Sequence, residues 1–127
     1  MPELIAHNRQ NFADVDFRVL DIVRDELPKG EVAIIRHVLQ HLSNAEIANV
    51  VARLRYPFLI VTEHLPDGDF APNKDQKTGV SIRLGSKSGV VLTEPPFSVK
   101  PTYQRTLCEA SEGGGIIRTI LYHLNMR

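Results

Sequence analysis

Two runs, Glu31-Val-Ala-Ile-Ile35 and Phe58-Leu-Ile-Val-Thr62, are apolar almost throughout and bracket a helical pattern with a marked start and stop. No other feature constrains the fold as strongly. Continuous apolar stretches suit strands covered on both faces, as in a parallel sheet. Between them, Ser43 and Glu46 form a capping box, in which each side chain satisfies a free N–H at a helix start. Ile47, Val50, Val51 and Leu54 follow at i, i+3, i+4 and i+7, and Pro57 blocks further helix. Strand, helix and strand with short links imply a right-handed parallel crossover.

The flanking segments extend this pattern. Pro2 and Glu3 suit a first helical turn, where a missing N–H costs nothing and negative charge meets the positive dipole end. Leu4, Ile5, Asn8 and Phe12 then fall near one helical face. Asp16-Phe-Arg-Val-Leu-Asp-Ile22 is strand-like, and Leu27-Pro-Lys-Gly30 reads as a turn. From Pro66 to about Thr102 the chain is rich in Asp, Gly, Lys and Pro, with short strands possible at 80–84 and 89–92. A connection of this length is either a functional lid or disordered. Tyr103 to Glu109 and Ile116 to Leu124 form two further strand candidates around a hairpin turn at Ser111-Glu-Gly-Gly-Gly115. The expectation is a single α/β domain over 1–127, with a loop or insertion at 65–102 and a mixed, mostly parallel sheet that ends in an antiparallel hairpin.

Composition narrows the function. The chain's 127 residues carry 15 basic and 15 acidic side chains, scattered rather than clustered. Such neutrality argues against a nucleic-acid partner, which needs a concentrated basic surface. No apolar run approaches the roughly 20 residues that cross a bilayer, so no membrane partner is expected. With no secretion-like stretch and a single cysteine, Cys108, the cytoplasm is the expected compartment. Cys108 itself reads as a small buried hydrophobe in a strand.

At the residue level, "PELIAHNRQNF" resembles the helix after the second strand of class I S-adenosylmethionine-dependent methyltransferases. "FRVLDI" with "LPKGEVAIIRHVLQHLSNAEI" resembles that family's third and fourth strands plus the next helix, and "RLRYPFLIVTEHLPDGD" its fifth strand and exit. The final hairpin resembles its sixth strand and reversed seventh. The resemblance implies an incomplete Rossmann-like fold covering the family's carboxy-terminal two-thirds. The glycine-rich turn and the ribose-holding acidic residue of the family pattern would lie upstream of Met1. Most cofactor contacts would lie there too, so the isolated chain is expected to be inactive.

By resemblance, Asp21 would accept from the adenine amino group, and the Ile22 N–H would meet the ring. Arg36 and His37 would line the pocket near the cofactor's amino acid moiety. Each pair has a plainer reading: Asp21 capping a local turn, Arg36 paired with a carboxylate, and His37 a loop residue. His37, Glu63 and His64, at strand ends where open α/β sheets hold ligands, are the candidates for a general base toward a hydroxyl acceptor. Methyl transfer relies largely on alignment, however, so many such enzymes need no dedicated base. A zinc site from His37, His41 and His64 is not expected, because His37 closes a strand and cannot share a helical face with His41.

In the complete family, the strands matching 16–22 and 31–35 each pair with a strand that has no counterpart here. Their edges must be paired or covered. The expectation is either that these two strands pair directly, or that two chains associate through the exposed edges as a homo-oligomer. Two functions follow: methyl transfer to an unknown acceptor once the cofactor site is completed, or a noncatalytic association module on the same scaffold.

Overall fold

A computed structural model describes residues 2–124. Helix α1 (Pro2–Asn11) is followed by β1 (Val32–Arg36), helix α2 (Asn44–Arg53), β2 (Phe58–Pro66), β3 (Tyr103–Glu112) and β4 (Gly115–His123). Single 3-10 turns occur at Leu39–His41 and Arg83–Ser86. The four strands form one sheet in the order β1-β2-β4-β3. β1 and β2 run parallel across the α2 crossover, while β4 is antiparallel to both β2 and β3. The sheet is therefore mixed as expected, but antiparallel in two of its three pairings rather than mostly parallel.

α2 forms for the reasons its sequence offers, with one change. The Ser43 hydroxyl accepts from the Glu46 N–H at 3.3 Å, as a capping serine should. Glu46 does not reach back to the Ser43 N–H. Thr78 stands between them, its hydroxyl accepting from the Ser43 N–H and donating to the Glu46 carboxylate. The box is thus closed by a residue of the long loop. Ile47 and Val50 are buried against the sheet, as the 3.6-residue periodicity requires.

The core lies on one face of the sheet. Ile35, Leu59, Val61 and Tyr122 meet Leu39, Ile47, Val50 and Leu54 there, together with Val90 and Leu92 from the long loop. The 67–102 segment therefore belongs to the core, with no strand at 80–84 or 89–92. Side-chain hydrogen bonds hold it. The Asn73 amide donates to the carbonyls of Val91, Glu94 and Pro95 and accepts from the Val91 N–H, and Ser88 bridges Ala71 and Lys74. Each of these bonds satisfies a backbone group that no ladder or helix would otherwise engage.

Three expectations are corrected. Residues 16–22 form no strand, so direct pairing with β1 does not occur. Arg9 Nε donates to the Phe17 carbonyl at 2.9 Å, and the Phe12 and Phe17 rings lie 6.3 Å apart, tying this run to the end of α1 instead. α1 buries none of its residues, so its apolar positions meet no core. Cys108 is exposed, as is every residue of the edge strand β3.

Candidate functional site

The carboxyl ends of β1 and β2 meet a short bend that changes how both strands finish. After Arg36 the backbone turns sharply at His37, which adopts a left-handed conformation (φ 54°) while its N–H still donates to the Thr62 carbonyl at 3.0 Å. β1 then leaves the sheet but β2 continues. The vacated ladder position is filled by a side chain: Gln40 Oε1 accepts from the His64 N–H at 2.9 Å. Gln40 is buried, and its amide oxygen also lies 3.4 Å from His37 Nδ1. A non-glycine residue in the left-handed region beside a ligand-facing strand end is a conformation held by its surroundings.

One residue along β2, Glu63 points to the opposite face. Alternation puts Leu59, Val61, Glu63 and Leu65 on the core side, and the loop packs over them. Glu63 is only 4% exposed, and neither carboxyl oxygen has a hydrogen-bond partner among the described residues. Burial raises its pKa to about 8, with the nearby Arg83 charge opposing the rise. The Gln40 backbone N–H also favours the charged form, although it does not reach hydrogen-bond geometry. At neutral pH this carboxyl is predominantly protonated. Glu63 in turn helps burial push the Tyr122 phenol up to about 12.

Arg83, itself buried, ties the loop to this corner. Its guanidinium donates to the carbonyls of Lys74, Gln40 and Leu42 and to the Asn44 amide oxygen, at 2.7, 3.2, 2.7 and 2.7 Å. Burial lowers its pKa, and the charges of Asp75 and Glu63 act against that. Four of its five N–H donors go to neutral acceptors and none reaches Glu63.

The residues singled out from the sequence fall into separate places. Arg36 is exposed on the outer face of the sheet, where no carboxylate pairs with it among the described residues. It lines a hollow of about 310 Å³ with Thr62, Cys108, Ala110, Ile117 and Thr119. His37 is half-buried at the bend, and His64 Nε2 lies 2.7 Å from the Glu112 carbonyl. Asp21 caps a turn, its Oδ1 accepting from the Val23 N–H at 2.9 Å. The Ile22 carbonyl accepts from Arg53, the last residue of α2. Asp21 and Ile22 therefore sit where α2 ends, and Arg36 and His37 sit where β1 ends. Because α2 runs back along the sheet, these are opposite ends of the crossover. Near Asp21 and Ile22 a second hollow of about 550 Å³ is lined by Arg24 through Gly30, Arg53, Arg55 and Tyr56.

No group of three or more His, Cys, Asp or Glu side chains is arranged to hold a metal ion among the described residues. Nor is any helix long and apolar enough to cross a membrane among them. Sequence reasoning missed Gln40 and Arg83 altogether, and neither carries a motif. Glu63's burial did leave a signal, since it interrupts an otherwise apolar alternate row, Leu59, Val61 and Leu65. Comparison with known proteins finds no matching family model, curated protein or solved structure.

Proposed function

We propose that the chain is an S-adenosylmethionine-dependent methyltransferase-like domain that contributes one wall of a cofactor pocket, at the carboxyl end of β1, through Arg36 and His37. Methyl transfer to an acceptor then belongs to an assembly that supplies the remaining wall. The observation that supports this reading is the order and direction of the elements. A parallel β1-α2-β2 crossover leads by a long loop into a hairpin whose last strand enters the sheet reversed, as the sequence resemblance implies. Glu63 is sealed beneath the loop and cannot reach an acceptor, so it is not the base of this reaction.

The test is a titration of the isotope-labelled chain with S-adenosylhomocysteine, followed by amide chemical shifts. Weak, millimolar binding with shifts confined to Arg36 through Gln40 is the expected result. Shifts centred on Asp21 and Ile22, or none at millimolar ligand, would overturn the reading. The uncovered outer face of the sheet, where Val32, Ile34 and Phe58 are exposed, favours the second reading, a noncatalytic association module.

A further inference from the structure

The free edge of β1 is an unguarded pairing surface. In a parallel ladder, alternate residues of a strand direct both backbone groups toward one neighbour. Glu31 accepts from the Phe58 N–H and His37 donates to the Thr62 carbonyl, so the odd-numbered residues of β1 face β2. Val32, Ile34 and Arg36 consequently turn their own N–H and C=O groups outward. Nothing among the described residues bonds to them. Their side chains lie on the uncovered face, and Ile34 is 71% exposed. Native edge strands are commonly blunted by Lys, Pro, a bulge or a covering segment, and Val32 to Ile35 carry none of these.

We infer that this edge pairs with β1 of a second copy of the chain, antiparallel about a two-fold axis through Ile34, joining two four-stranded sheets into one. The register follows from the residues. Centred on Ile34, the two Ile34 residues face each other, and Val32 of each copy faces Arg36 of the other. These are the residues whose backbone groups point outward, so each facing pair can exchange both of its N–H···O bonds. Side-chain charge fits the same arrangement, because it sets Arg36 of each copy beside the apolar Val32 of the other. A parallel alignment would set Arg36 beside Arg36, a destabilising like-charge contact. The contact is isologous and closed, which stops growth at two chains. It does not depend on the methyltransferase reading, since no cofactor residue other than Arg36 takes part and Arg36 does so through its backbone.

Sedimentation equilibrium across the micromolar range tests this, with hydrogen exchange on the same samples. The expected mass is twice the 14.3 kDa of the chain, with the Val32, Ile34 and Arg36 amides gaining protection as concentration rises. Ile34→Lys should weaken association at least tenfold while leaving the circular dichroism of dilute protein unchanged. Val80→Lys, at a loop position 95% exposed, should leave association as it is. A monomer throughout that range would overturn the inference. So would a dimer that survives Ile34→Lys, or one whose three outward amides exchange freely.

Discussion

Replacing Glu63 by glutamine exposes how much a buried acid costs this fold. In the unfolded chain the carboxyl titrates near 4.5, and in the folded chain near 8. The folded state therefore holds a proton that the unfolded state releases, and stability falls as pH rises between those two values. Below pH 4.5 both states are protonated and nothing is lost; above pH 8 the loss is complete. Each pH unit in between costs about 1.4 kcal/mol, accumulating to about 5 kcal/mol as an upper limit, a large share of the roughly 5–15 kcal/mol that holds a domain together. Glutamine has nearly the same shape and no charge to desolvate. Urea unfolding of both proteins at a series of pH values should give a difference near zero at pH 4.5 that grows in favour of Glu63→Gln toward pH 8. Taking the difference removes the five histidines, which both proteins share. A difference that stays flat across this range, or that favours the wild type at pH 8, would refute a buried carboxyl without a partner.

Two further outcomes probe the packing around it. Arg83→Met should destabilise the fold by about 2–3 kcal/mol in urea titrations, because it removes the donor from four acceptors, one buried and three partly buried; it should also carry the Glu63 pH window upward, since the Arg83 charge opposes the rise. Gly115→Ala puts a methyl 2.3 Å from the Leu65 carbonyl oxygen and 3.1 Å from Leu84 Cδ1, and should lower stability by about 3 kcal/mol, read from the shift in urea midpoint.

The crossover was legible because its signals are local and agree with one another. The apolar runs, the capping serine, the helical spacing and Pro57 support one another, and β1, α2 and the start of β2 follow them. The hairpin was equally plain: Gly113 and Gly114 take φ of 51° and 79°, as a tight turn between twisted strands demands. "FRVLDI" misled because strand propensity describes a residue's fit to a pleated surface that must already exist. Val19 and Leu20 find no such surface and stay exposed. The strand at 58 ran past its expected end at Thr62 to Pro66, and that extension decides the fate of Glu63. A strand-end carboxylate would face solvent, whereas one in mid-strand must face a side of the sheet. The roles of Gln40, Asn73 and Arg83 depend on backbone groups far away in the chain, and no pattern within a short window encodes them.

The reversed strand β4 lies between β2 and β3, although it is the last of the four to leave the ribosome. Until it emerges, β2 has only one neighbour, and the loop that roofs Leu65 has no finished sheet to settle on. The molecule's most central ladder is thus its latest, closed over the longest span of chain. Chain-closure entropy delays such pairing, so refolding should be governed by the arrival of the C-terminal hairpin.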